Sequence, residues 1–138
     1  PNVHTMVGDF TKTTAAQLLG GEDELFDVVI SDMAPSTTGH GDHFFSERLC
    51  QDIIDVLPDL LKPRGTCTMK VLEGETFPQL IRRMKNVFRI AGAIKPDACR
   101  DVSRETYVYG IGFRPSRVRV KDGSNEGALP EPTPGWGD

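Results

Sequence analysis

Phe26-Asp27-Val28-Val29-Ile30-Ser31-Asp32 constrains this chain more than any other stretch. Three β-branched residues in succession, with no polar alternation, read as a strand buried on both faces of a parallel sheet. The run stops at Ser31-Asp32 and enters a loop, Ala34 to His43, rich in Gly, Ser and Thr. In open α/β sheets ligands gather beyond the carboxyl ends of the strands. Asp32 is therefore a site candidate, while a lone acid after a strand also serves as an ordinary turn cap.

The flanking pattern alternates between strand and helix. Val3 to Phe10 reads as a short strand ending in Gly8-Asp9-Phe10, and Thr11 to Leu19 as a helix stopped by Gly20-Gly21. Phe45 to Leu61 is an amphipathic helix, with Leu49, Ile53, Ile54, Leu57 and Leu61 on one stripe. Pro58 should kink it or split off its last turn. Lys62-Pro63-Arg64-Gly65 then turns the chain into a strand from Thr66 to Leu72.

Lys70 lies inside that strand, which is awkward for a lysine unless its ammonium reaches a polar site. Thr76-Phe77-Pro78-Gln79 predicts a capping box and helix start, followed by the apolar face of Phe77, Leu80, Ile81, Met84, Val87 and Phe88. Ile90 to Ile94 is a short strand, and Lys95 to Arg104 a polar connection. Glu105 to Phe113 is a last strand, with Tyr107 and Tyr109 on one face and Val108 and Ile111 on the other. From Arg114 on, Gly, Pro and Glu dominate, which predicts a flexible tail over 114–138 after one domain over 1–113. The succession predicts an α/β, doubly wound sheet with helices on both faces.

The 138 residues suffice for one domain with its own core. No apolar run reaches membrane-spanning length, so no membrane partner is expected. Cys50, Cys67 and Cys99 are odd in number and far apart, which fits thiols in a reducing compartment rather than a disulfide framework. His40 and His43 beside Asp42 lack zinc-ligand spacing, and no metal is expected. The net charge of −4 conceals a division: up to Leu61 there are eleven acids and two bases, whereas from Arg82 to Lys121 there are eleven bases and three acids. The second half would face a nucleic acid if one is bound, although Arg82, Arg83, Lys85 and Arg89 also suit a solvated helix face.

Ser31-Asp32-Met33-Ala34-Pro35, Lys70 within Cys67-Thr68-Met69-Lys70-Val71, and Ser103-Arg104-Glu105-Thr106-Tyr107 occur in one order. Together they resemble the FtsJ/RrmJ family of S-adenosylmethionine-dependent RNA ribose 2′-O-methyltransferases, a Rossmann-like fold. Gly8-Asp9-Phe10, Leu61-Lys62-Pro63-Arg64-Gly65 and Lys95-Pro96-Asp97 match as well, and the resemblance runs from Val3 to Phe113. It implies catalytic roles for Asp32, Lys70 and Glu105, the last three members of a Lys-Asp-Lys-Glu tetrad. It implies S-adenosylmethionine as cofactor, held by Asp9, Phe10 and Asp32. The implied partner is RNA, ribosomal RNA of the large subunit or the subunit itself, with Arg82, Arg83, Lys85, Lys95 and Arg104 as candidate contacts. The implied location is cytoplasmic, or else an organelle such as the mitochondrion.

The first lysine of the tetrad, the glycine-rich methionine-binding loop and the acid that holds the ribose hydroxyls have no counterpart in the sequence. The first two strands of such a sheet are therefore expected to be absent. Val3 to Phe10 would then have no strand to pair with, and the Asp32 strand would become an apolar edge. The expectation is a piece of a longer functional protein, a chain completed by a missing N-terminal segment or a second chain, or a remnant. Two other classes stay open: a non-catalytic RNA-binding or ribosome-assembly protein of the same fold, and a nucleotide-binding α/β domain.

Overall fold

The structure is a computed structural model that describes residues 3–33, 42–95 and 105–119. Its centre is a four-stranded sheet in the order β1-β2-β4-β3, with β1 Phe26–Ser31, β2 Leu61–Leu72, β3 Phe88–Ile94 and β4 Glu105–Phe113. β1 and β2 are parallel, and β4 runs antiparallel to both β2 and β3. Four helices accompany them: α1 Ala15–Leu19, α2 Asp42–Val56, α3 Phe77–Val87 and α4 Pro115–Arg119.

Alternation along β2 divides the molecule. Cys67, Met69 and Val71 point into a core with Ile53, Ile54 and Leu57 from the α2 region and Leu80, Met84 and Val87 from α3. The register sets Met69 opposite Val108 and Cys67 opposite Gly110, so these β4 residues share that face. Gly110 is required there, because an added Cβ would fall 2.3 Å from the Phe88 ring. Burial pushes the Cys50 and Cys67 thiols up to about 12, which keeps both protonated within the core.

The other face of the sheet carries no helix among the described residues. Val28 and Ile30 on β1, Ile90 and Ile94 on β3, and Ile111 on β4 are all exposed there, Ile30 at 72 %. The expectation of helices on both faces is thus met on one face only, and Ile111 joins Tyr107 and Tyr109 rather than Val108. Among the described residues β1 is the edge strand of the sheet, and it is largely exposed rather than buried on both faces, because no helix covers one face and no strand pairs with its far side. Val3–Asp9 forms no strand, as expected of a segment with no neighbour to pair with.

Local departures have local causes. Thr11 to Leu19 is not one helix: Asp9 caps a 3-10 turn over Phe10–Lys12, and Thr14 and Gln17 then form a capping box that starts α1. Gly20 closes α1 with φ 65°. Pro58 does split the last turn from α2, as a 3-10 turn over Leu57–Asp59. Lys62–Gly65 does not end before the strand but bulges within it: Phe26 pairs with Leu61 and Val28 with Thr66, and Arg64 takes φ 72°. The predicted capping box at Thr76 does not form; Thr76 has ψ 0° and its hydroxyl is buried without a partner. Beyond Arg114 the chain is helical as far as Arg119, and Val118 is buried, so the tail expected from Arg114 does not begin there.

Arg83 joins α2 to α3. Its guanidinium donates to Asp55 Oδ1 at 2.8 Å and to Gln51 Oε1 at 2.7 Å, and Gln51 Nε2 donates in turn to Glu47 Oε2 at 2.6 Å. Hydrogen bonds to charged groups contribute ~1.5–3 kcal/mol. Arg83→Met should lower unfolding free energy by about 1–3 kcal/mol in urea titrations, while Arg82→Met on the exposed face should change it by less than ~0.5 kcal/mol. The open edge gives a second expectation. Ile30→Lys should reduce self-association in sedimentation velocity with little change in melting temperature, because a charge on an edge strand blocks pairing without removing a core contact.

Candidate active site

The site is assembled at the carboxyl ends of β1 and β2. β1 finishes at Ser31, opposite Met69, and releases the chain with Asp32 beside β2. Lys70 follows Met69 and points to the face away from the helices. Its ammonium lies 3.4 Å from Asp32 Oδ1 and 4.0 Å from Glu105 Oε2. The Lys70 side chain is 18 % exposed and Asp32 68 %, so the ammonium is drawn into the sheet while the acid stands at the rim. The three residues implied by the resemblance therefore meet in space.

Tyr107 is a fourth member that the sequence reading placed on a face but not in the site. It pairs with Lys70 across the β2–β4 ladder, and its hydroxyl donates to Asp32 Oδ1 at 3.1 Å. That hydrogen bond to the carboxylate pushes the Tyr107 phenol above its ordinary range. The available signal was the spacing Glu105-Thr106-Tyr107, since residues two apart on a strand share a face.

β2 outruns β1 by three residues, from Lys70 to Leu72, and its freed polar groups need partners. α2 supplies them. The Cys50 thiol donates to the Lys70 carbonyl at 3.5 Å, and the Leu72 amide donates to Ser46 Oγ at 3.0 Å. Neither residue was singled out in the sequence as part of the site. On the other side, Thr106 Oγ1 donates to the Ile94 carbonyl and Lys95 Nζ to the Glu105 carbonyl at 3.0 Å, which brings Lys95 against the rim.

Phe10 and Asp32 wall one cavity of about 380 Å³ beside β1, together with Leu18, Ile30, Met33 and Ile53. Asp9 is not in that wall. Its Oδ1 accepts from the Thr11 amide at 3.0 Å and the Thr11 hydroxyl at 2.7 Å, and these bonds hold its carboxyl below the usual range. Arg82 and Lys85 are exposed on α3, on the layer opposite the Lys70 face, and Arg83 is committed to Asp55 and Gln51. The Ala34–Gly41 loop and Arg104 lie outside the described residues.

A mixed sheet with an ammonium between two carboxylates at the ends of its parallel strands, beside a largely apolar cavity, defines an α/β domain with a candidate ligand site where such sheets carry theirs. FtsJ-like methyltransferases match residues 1–113 as a family, and the chain belongs to that family. The "Ribosomal RNA large subunit methyltransferase E" of Methanobrevibacter smithii is 34% identical over 122 residues, 84% of this chain and 57% of that protein. The protein of the same name from Leptothrix cholodnii is 39% identical over 111 residues, 78% of this chain and 48% of that one. A crystal structure of a ribosomal RNA methyltransferase from Plasmodium falciparum superposes with a TM-score of 0.60 at 25% identity, covering 72% of this chain and 52% of the other. The chain thus spans about half the length of the curated relatives it matches.

The geometry makes the Tyr107–Asp32 bond testable. Followed by ¹³Cζ NMR, the Tyr107 phenol should titrate above the ordinary ~10. Asp32→Asn should lower that midpoint, because it removes the carboxylate that opposes phenolate formation. An unchanged midpoint would mean that the bond is not made in solution.

Proposed function

We propose that this chain carries the catalytic rim of an enzyme that transfers a methyl group from S-adenosylmethionine to a ribose 2′-hydroxyl of RNA, in large-subunit ribosomal RNA. The observation that supports this reading most is the Lys70 ammonium held between Asp32 and Glu105 at the end of the parallel strands. Family membership and the names of the relatives point the same way.

The cavity beside β1 has features that suit the cofactor. It has apolar walls for a flat base, at Phe10 and Leu18, and one carboxylate, Asp32, near its mouth for a cationic group. Phe10 and Asp32 are the groups lining this cavity that would hold S-adenosylmethionine. When bound, it supplies a methyl group activated by a positively charged sulfur.

The chain's own residues orient and deprotonate the acceptor. Lys70 Nζ faces the rim, where as an ammonium it can donate to the 2′-hydroxyl and orient it. Only its neutral amine, after a proton has left to solvent, would take the hydroxyl proton as general base. Asp32 and Glu105 fix the position of Nζ, and Tyr107 fixes Asp32 by donating to Oδ1. Alignment of this kind contributes several orders of magnitude without any covalent intermediate. Lys95, whose Nζ donates to the Glu105 carbonyl, and Arg104, next to Glu105 in sequence, are the proposed contacts to a phosphate of the substrate.

The bare sheet face and open β1 edge support a functional unit completed by further polypeptide, either an N-terminal segment or a second chain. No helix of the described residues is long and apolar enough to cross a membrane. Cytoplasmic ribosomal RNA is the proposed setting. In the completed enzyme Lys70→Met should cut turnover at least ~10³-fold while cofactor affinity, read by calorimetry, stays within about twofold. Retained turnover would remove Lys70 from the mechanism, whereas no turnover in the unsubstituted completed protein would favour the other reading, a non-catalytic RNA-binding protein of this fold.

A further inference from the structure

The buried stripe of α2 changes character along its length. With the 3-10 turn that extends the helix, it runs through Ser46, Cys50, Ile53, Ile54 and Leu57, each at most 3 % exposed. An amphipathic helix fills such a stripe with apolar side chains, and the second half does so. The first half instead holds a hydroxyl and a thiol one turn apart. Buried polar groups are kept where they are hydrogen-bonded, so the partners of Ser46 and Cys50 say what the departure is for.

Both partners belong to the end of β2. Ser46 Oγ accepts from the Leu72 amide at 3.0 Å, and the Cys50 thiol donates to the Lys70 carbonyl at 3.5 Å. These are the two peptide groups that flank Val71. The two side chains stand in for β1, whose pairing stops with Ser31 opposite Met69. Along its other edge β2 pairs with β4 as far as Leu72 opposite Glu105. Ser46 therefore fastens the last rung of that ladder. One half of the rung is Glu105, whose Oε2 lies 4.0 Å from Lys70 Nζ, and Lys70 stands two residues back on the same face of the strand.

Helix packing alone does not call for these bonds, because Ile53, Ile54 and Leu57 already hold α2 against Cys67, Met69 and Val71. Of the two, the hydroxyl carries more, since a thiol is a weak donor and its contact is longer. We propose that Ser46 is a positioning residue for methyl transfer: by accepting from the Leu72 amide it fixes the last rung of β2 and β4, and with it the place of Lys70 Nζ relative to Glu105 and Asp32. The proposal rests on Lys70 acting on the ribose hydroxyl in the completed enzyme. Ser46 acts through the backbone and not on the reactants. A displacement of about 1 Å at a reacting centre costs up to ~10²-fold in rate, so a loosened rung is enough to be seen.

The test sets Ser46→Ala beside Val87→Ala, which removes buried methyl groups at the opposite end of the sheet, next to the Phe88–Phe113 pair. In the completed enzyme Ser46→Ala should lower kcat by about 10- to 100-fold and leave KM for S-adenosylmethionine within about twofold. Val87→Ala should lower the melting temperature and leave kcat unchanged. In this chain by itself, amide hydrogen exchange at Leu72 should quicken at least ~10-fold in Ser46→Ala, while that at Met69 stays slow. Unchanged kcat, a loss confined to KM, an equal loss of kcat in Val87→Ala, or unchanged exchange at Leu72 would overturn the proposal. Normal turnover by Ser46→Ala where Lys70→Met is inactive refutes the role of Ser46 alone; turnover retained by Lys70→Met removes the role of Lys70 and that of Ser46 with it.

Discussion

The structure depends on the strict alternation of β2. A strand puts successive side chains on opposite faces, so burying Cys67, Met69 and Val71 under α2 and α3 forces Lys70 onto the open face. A slip of one residue would place an ammonium in the core and three apolar side chains in water. The hydrophobic core therefore fixes the direction of the lysine, and no separate interaction is needed to aim it. β4 carries the same information in reverse, since Thr106 and Val108 are buried while Glu105 and Tyr107 look the other way.

The site is built where the ladder runs out. β1 ends before β2 does, and that mismatch frees Asp32 to approach Lys70 and leaves the last peptide groups of β2 to Cys50 and Ser46. Core and site are coupled at this point: the helix that packs on Met69 also holds the backbone of the residues flanking Lys70. On the opposite layer Arg83 is drawn into the α2–α3 contact, whereas Arg82 and Lys85, its neighbours in sequence, remain at the surface. Adjacent bases with the same chemistry thus receive different work from the helical period.

Among the described residues one face of the sheet is covered by helices and the other is bare. The exposed Val28, Ile30, Ile90, Ile94 and Ile111 show a surface shaped for burial, and β1 shows the same along its edge. This agrees with a chain that matches about half the length of its relatives. It also explains why Val3–Asp9 lacks strand structure: a strand requires hydrogen-bonding neighbours, and propensity does not replace them.

Residue pattern by itself determined the succession of elements from β1 to β4, the split of α2 at Pro58, the span of β4, and Asp32 and Lys70 as residues to watch, with Glu105 added by the resemblance of its motif. Those features follow from local periodicity, proline geometry and short motifs that the chain carries without reference to its fold. Tertiary structure alone decided which of two adjacent arginines enters the α2–α3 contact, that Tyr107 bonds Asp32, that the Thr76 side chain does not cap α3, and that the helices among the described residues pack on one side of the sheet. These outcomes depend on register, and on the presence or absence of a neighbour, which are distances between residues far apart in sequence. The Val28-Val29-Ile30 run shows the division most clearly. Its composition is that of a buried strand, and only the missing partner beside it makes it an edge.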